Sequence, residues 1–294
     1  MGQILDGKHY AQKLKDKIKL EIEGMEPGCR PRLAIIQVAD NPASTVYVQA
    51  KINQAAEVGI DAKLYHFSSS PSQADVEKTI DTLNQDPNTH GIIVQLPLPQ
   101  DWDSQSILNQ IHPDKDVDGL TETNVGRLSM GLNCLVPCTP LGCLILMQQL
   151  YKNLDGKNVV VVGRSNLVGK PLAQLFLKQN CTVTILHSKS VNPEKIASQA
   201  DILIVAAGSL HLVHGNWVKP GAVVLDVGIH RLSTGKLAGD VDFESVLPIA
   251  SYLTPVPGGI GPMTVACLLL NTTLAMAKQK KLSLKNLNGS PLCL

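Results

Sequence analysis

Aromatic side chains are scarce, 3% of 294 residues, so any core must be built from aliphatic ones. Hydrophobic residues reach 44% and charged residues 17%, a mix that fits an α/β protein with aliphatic strands and excludes a disordered chain. An excess of either charge is also missing. The formal net charge of +1 gives no electrostatic case for a nucleic-acid or membrane partner. The seven cysteines (Cys29, Cys134, Cys138, Cys143, Cys181, Cys267 and Cys293) form no C-x-x-C pair and have no histidine cluster beside them. They read as reduced structural thiols of a cytoplasmic protein with no metal site. No apolar run approaches the length of a membrane span, and Met1-Gly-Gln-Ile-Leu-Asp6 lacks the basic and apolar regions of a signal peptide. Without secretion, the glycosylation sequons at Asn271 and Asn288 carry no meaning.

What is present is an alternation of strands and helices. Tyr10, Leu14, Ile18 and Ile22 give residues 6–24 one apolar helical face, with lysines on the other. Residues 32–38 are a dense aliphatic run, read as a buried strand. After a turn at Asp40-Asn-Pro42, Val48, Ile52, Ala55 and Ala56 predict a helix ending near Gly59. On it Tyr47 and Lys51 are four apart and share a face. Alone, that pair fits a solvated surface helix as well as a catalytic one. Strands are predicted over 61–67 and 90–95, with helices over 72–84 and 104–111. Such β–α–β alternation predicts a parallel sheet whose ligands gather beyond the carboxyl ends of its strands. Two carboxylates follow in Lys115-Asp-Val-Asp-Gly119, read either as an Asx turn or as an acceptor, Asp118, for a ligand's donor edge. Pro137-Cys-Thr-Pro140 opens an apolar helix through Tyr151, with Thr139 as its N-cap.

Asn158-Val-Val-Val-Val162 is the clearest strand. The turn Gly163-Arg-Ser-Asn-Leu-Val-Gly169 and a helix over 171–179 follow it. Strand, Gly-rich turn and helix are the setting of a dinucleotide loop, although the spacing is not G-x-G-x-x-G. The strand over 182–186 ends in His187-Ser-Lys189, without the carboxylate usual for a ribose 2′-hydroxyl. With Arg164, Ser188 and Lys189 present, a 2′-phosphate is favoured, and so NADP over NAD. Strands over 201–206 and 222–227 complete a Rossmann-like unit. The loop over 254–264 holds three glycines and three prolines, and an apolar helix from Val265 to about Ala277 follows.

In this order, Tyr47…Lys51, Val94-Gln-Leu-Pro-Leu-Pro99, Lys115-Asp-Val-Asp-Gly119, Pro137-Cys-Thr-Pro140, Gly163-Arg-Ser-Asn-Leu-Val-Gly169 and Pro255-Val-Pro-Gly-Gly-Ile-Gly-Pro-Met-Thr264 resemble one family. It is the bifunctional methylenetetrahydrofolate dehydrogenase/methenyltetrahydrofolate cyclohydrolase family, matched from about Gln3 to Lys278. The resemblance implies two α/β domains with a cleft between them. One is a catalytic domain of residues 1–139, completed by 265–294; the other is a Rossmann-like NADP domain of residues 140–264. It implies NADP+-dependent oxidation of methylenetetrahydrofolate, then hydrolysis of the methenyl cation to 10-formyltetrahydrofolate, by a cytoplasmic homodimer. Carried over residue by residue, Lys51 moves the proton, Gln95 hydrogen-bonds it, Tyr47 packs on the folate ring and Asp118 anchors the pterin. Val94, Leu96, Pro257, Gly258 and Gly259 line the folate. Gly163, Arg164, Ser165, Ser188 and Ile229 fall at nucleotide-binding positions. The chemistry is consistent: a lysine acts as a base only if its pKa falls, and the methenyl cation supplies a nearby positive charge. A short-chain dehydrogenase shares the Tyr-x-x-x-Lys spacing, but there the pair lies downstream of the Gly-rich loop. Another two-domain dehydrogenase would give no reason for Gln95, and a non-catalytic folate sensor none for an intact Lys51.

Overall fold

The structure, a computed structural model, describes residues 2–26, 28–38, 42–67 and 71–287, with Pro42 and Ala43 described by backbone alone. The turn expected at Asp40-Asn41, the Asn288 sequon and Cys293 lie outside the described residues. The chain begins with β1 (Gln3–Ile4), α1 (Gly7–Glu23), β2 (Arg32–Val38), α2 (Pro42–Val58), β3 (Asp61–Phe67), α3 (Gln73–Gln85), β4 (Gly91–Val94), α4 (Ser104–Asn109) and α5 (Glu122–Ser129). It continues with α6 (Cys138–Leu150), β5 (Asn158–Val162), α7 (Gly169–Lys178), β6 (Thr182–Leu186), α8 (Pro193–Ala197), β7 (Ile202–Val205) and β8 (Val223–Asp226). The last elements are the paired β9 (His230–Arg231) and β10 (Leu237–Ala238), α9 (Phe243–Val246), β11 (Tyr252–Leu253) and α10 (Ile260–Lys280).

Two compact units result. The first is Lys13–Cys138 with Val265–Leu294; the second is Met1–Gln12 with Thr139–Thr264. The opening residues, expected in the catalytic domain, thus belong to the other unit. β1 pairs in parallel with β11, Gln3 opposite Tyr252 and Ile4 opposite Leu253, and Lys8 donates its N–H to the Gly258 carbonyl at 2.9 Å. Backbone hydrogen bonding, which leaves no pattern in a two-residue strand, decides their place.

The first unit holds a parallel sheet in the order β3-β2-β4. Central β2 is buried from Leu33 to Val38, as expected where helices cover both faces. The edge strand β3 alternates instead between exposed and half-buried positions. α3 starts at a capping box: Ser72 Oγ accepts from Asp75 N–H at 3.2 Å, and the Asp75 carboxylate accepts from Ser72 N–H at 3.0 Å. Its Val76, Ile80 and Leu83 then face the Ala34–Ile36–Val38 side of the sheet. α5, capped by Thr121, is a helix the sequence reading does not contain.

α10 starts at Ile260, earlier than expected, and corrects a second expectation: it is long and apolar enough by composition to cross a membrane. Most of it is buried within the fold, as in a core helix. Asn271, Thr272 and Thr273 are all 0% exposed. The two threonines return their hydroxyls to Leu268 and Leu269 carbonyls, while Asn271 Nδ2 donates to the Val117 and Val136 carbonyls at 2.8 Å each. The apparent sequon is therefore an interior clamp.

The second unit carries a six-stranded parallel sheet, ordered β1-β11-β8-β7-β5-β6. Val160, Val162, Leu203, Val205, Val224 and Leu253 build its core, and Trp217 and Phe243 pack against them. Thr139 is not the N-cap of α6, because Cys138 is already helical. Its hydroxyl instead meets that of Thr264 at 2.9 Å.

Candidate functional site

In the first unit, chemistry gathers at the carboxyl ends of β2 and β4. Gln95 follows β4 directly and remains tied to β2, donating its N–H to the Ile36 carbonyl at 2.8 Å. Its side chain is oriented at both ends. Nε2 donates to the Leu96 carbonyl at 2.7 Å, which leaves Oε1 to accept from Lys51 Nζ at 2.9 Å. A neutral acceptor fixes the amine without supplying a counter-ion that would hold the proton on it. Tyr47, one turn before Lys51, is 44% exposed and offers its ring to a ligand. Val94 is 2% exposed, so its side chain supports the site from within the core.

The Lys115–Gly119 run divides its work residue by residue. Lys115 Nζ donates to the Leu83, Asn84 and Asp86 carbonyls at 2.7 to 2.9 Å, closing the end of α3. Asp116 takes the turn role: Oδ1 accepts from Leu120 N–H at 3.1 Å, and Oδ2 from Thr121 N–H at 2.8 Å and Asn124 Nδ2 at 2.9 Å. Val117 is held by Asn271. Gly119 has φ +69°, and a Cβ there would press on the Val136–Pro137 backbone. What remains is Asp118, beside the Cys138 side chain and within the field of Lys51. Burial raises its pKa, and the Lys51 charge opposes that rise. Burial, then the neighbouring carboxylate, pushes the Cys138 thiol well above its ordinary range.

The second unit presents its own ligand edge. Val162 and Leu186 are register partners, so Gly163-Arg164 and His187-Ser188 leave the sheet side by side. Gly163 has φ +127°, and a Cβ there would overlap the Ala206 carbonyl oxygen. Gly169 is packed as closely against Gly163. Ser165 Oγ accepts from Val168 N–H at 3.1 Å and Gly169 N–H at 3.4 Å, binding the turn to the start of α7. Arg164, Ser188 and Lys189 are exposed, and Ile229 is 46% exposed. A backbone cradle with no room for side chains, at a helix start with cations beside it, fits a dinucleotide phosphate. Pro257, Gly258 and Gly259 also belong to this unit, and a Cβ on Gly7 would overlap the Gly259 carbonyl.

Two family profiles account for these two edges. The tetrahydrofolate dehydrogenase/cyclohydrolase catalytic domain matches residues 5–118, and the NAD(P)-binding domain of the same family matches residues 137–280. The chain belongs to the tetrahydrofolate dehydrogenase/cyclohydrolase family. Its similarity to other members of that family is extensive. The bifunctional protein FolD of Gluconobacter oxydans is 50% identical over 280 residues, 93% of this chain and 92% of that protein. The crystal structure of the bifunctional FolD enzyme of Campylobacter jejuni superposes with a TM-score of 0.92 at 44% identity, covering 95% of this chain and 99% of that one. The Trypanosoma brucei FolD, solved with NADP cofactor and an inhibitor, gives a TM-score of 0.89 at 35% identity, covering 96% and 99%.

Within this tetrahydrofolate dehydrogenase/cyclohydrolase chain, the sequence motifs bypass Asp226 at the nucleotide edge. Asp226 is 4% exposed and ends β8. Its Oδ1 accepts from Gly228 and Asp240 N–H, its Oδ2 from Val241 N–H, all at 3.0 Å, and its own N–H reaches Thr254 Oγ1 at 2.8 Å. Burial pushes its pKa up to about 6, against the pull of those amides. The folded state then holds a proton that the unfolded state has released between pH 3.8 and about 6. Its contribution to stability is full below that window and falls as pH rises through it, by about 3 kcal/mol. Urea unfolding of the wild type and Asp226→Asn should therefore show wild-type stability falling relative to the variant across this window. A difference independent of pH would contradict it.

Proposed function

We propose that the protein oxidises methylenetetrahydrofolate with NADP+ and hydrolyses the resulting methenyl cation to 10-formyltetrahydrofolate, with Lys51 as the proton carrier. The 2.9 Å hydrogen bond from Lys51 to Gln95, beside Asp118, carries the assignment. Tyr47 stacks on the folate ring, and Asp118 accepts from its pterin donor edge. Leu96 borders the ligand, with the buried Val94 side chain supporting it from the core; Pro257, Gly258 and Gly259 are assigned to folate by the family resemblance alone. Gly163, Arg164, Ser165, Ser188 and Ile229 hold the nucleotide, which when bound accepts the hydride. In the second step water adds to the one-carbon centre and gives a proton to the Lys51 amine. The carbinol hydroxyl then gives up its proton as the carbon–nitrogen ring bond breaks to leave the formyl group, the freed nitrogen takes up a proton, and Lys51 releases the net proton to solvent. The protein is taken as a cytoplasmic homodimer without a nucleic-acid or membrane partner, supported by the formal net charge of +1 and the family resemblance.

A spectrophotometric assay with methylenetetrahydrofolate and each nicotinamide nucleotide, followed for methenyl appearance and decay, tests both reactions. A protein that binds folate but turns over neither substrate would be a sensor. Arg164→Ala separates the nucleotides. A charge-assisted phosphate contact predicts a roughly ten- to hundredfold rise in KM for NADP+, with that for NAD+ within about threefold of wild type. Equal losses would remove the 2′-phosphate role.

A further inference from the structure

Asp240, in the Gly239-Asp-Val-Asp242 run, is 0% exposed. Its bonds go to loops at the ligand edge. Oδ2 accepts from the Ala207 and Gly208 N–H groups at 2.7 and 2.9 Å, in the turn that follows β7. Oδ1 meets His230 Nε2 at 2.7 Å, at the start of β9. Its own N–H donates to Asp226. Space for the two carboxylates is cut into the backbone: a Cβ on Gly228 would overlap the Asp240 carboxylate, and one on Gly239 that of Asp226. Neither glycine has positive φ, so it is room, and not backbone freedom, that requires them.

Both anchored segments adjoin nucleotide-site residues. The Ala206 carbonyl, just before the Ala207–Gly208 turn, is the atom that a side chain at 163 would strike. His230 directly follows exposed Ile229. We propose that Asp240 is a positioning residue for the dehydrogenase reaction, its one carboxylate fixing together the Ala207–Gly208 turn and His230, the segments that border Gly163 and Ile229. This rests on the assignment of Gly163, Arg164 and Ile229 to nucleotide binding. A buried carboxylate spanning two loops is stabilised only while all its donors are in place, so loss of the group releases both loops at once. An asparagine keeps the same contacts: its oxygen accepts the two amides, and its nitrogen donates to His230 Nε2 in the tautomer protonated at Nδ1.

The full-length wild type, Asp240→Ala and Asp240→Asn are compared by calorimetric titration with NADP+ and by steady-state kinetics of both reactions. For Asp240→Ala, Kd and KM for NADP+ should rise at least about tenfold, with kcat at saturating NADP+ within about threefold of wild type, the pattern of lost ground-state binding. Asp240→Asn should restore NADP+ affinity to within about threefold of wild type, since hydrogen bonds alone are at stake. Wild-type affinity in Asp240→Ala, or an equal fall in dehydrogenase kcat and methenyl hydrolysis, would overturn the positioning role; so would an Asn variant as weak as Ala. If Asp240→Ala does not fold, His230→Ala decides: a several-fold rise in Kd supports the role and an unchanged Kd overturns it. Absence of NADP+ binding by the wild type would instead refute the nucleotide-site assignment.

Discussion

Lys51→Met should reduce hydrolysis of methenyltetrahydrofolate by roughly a thousandfold, the contribution of a positioned proton carrier. Methionine keeps the unbranched stem and the helix propensity of α2, so packing changes little. What it removes is the amine that Gln95 holds at 2.9 Å. Gln95 cannot replace it, because an amide neither takes nor gives a proton near neutral pH. The measurement is the decay of methenyl absorbance on adding enzyme, corrected for spontaneous hydrolysis. Retained hydrolysis would remove Lys51 from the mechanism. Dehydrogenase activity followed in the same preparation shows whether the variant still binds folate.

Gly163→Ala should have the complementary effect. At φ +127° a side chain is strained whatever the space, and here the added Cβ would also meet the Ala206 carbonyl. Strain of about 1–3 kcal/mol, plus movement of the turn, should raise KM for NADP+ at least tenfold. On the proposed assignment, hydrolysis uses Lys51, Gln95 and Asp118, which lie in the other unit, and needs no nucleotide. The two activities should therefore separate. If both vanish together, the damage has spread through the chain and the local account fails.

How much of this was legible in the sequence varied with the physics involved. β2, β3, β5 and β6 fall on the expected residues, because runs such as Val159–Val162 admit few alternatives to a buried strand. β1, β9, β10 and β11 span two residues each and exist through their pairing partners, which no local pattern records. The parallel sheets and the two-domain α/β class followed from the alternation of elements. Tyr47 and Lys51 could be paired by helical spacing and Gln95 placed at the same sheet edge by the alternation of elements, whereas the hydrogen bond between Lys51 and Gln95, 44 residues apart, was implied only by the family resemblance. Between Asp116 and Asp118, spacing had no preference; backbone amides take the first and leave the second to Lys51 and Cys138. Asp226, Asp240 and His230 carried no signal, since their roles arise where separate strands end together.

Asn271 has a consequence for the order in which the molecule can be made. Its acceptors, Val117 and Val136, belong to the first unit, and the whole of Thr139–Thr264 intervenes before the chain returns to them. Closing a loop of that length costs on the order of 4 kcal/mol of chain entropy if the segment is unstructured. Folding the intervening segment first shortens the effective loop. A chain emerging from its N-terminus would thus complete the nucleotide half before the folate half, although Lys13–Cys138 of the folate half is made before Thr139–Thr264. Chains stopped at residue 264 would leave the Val117 and Val136 carbonyls without their amide donor.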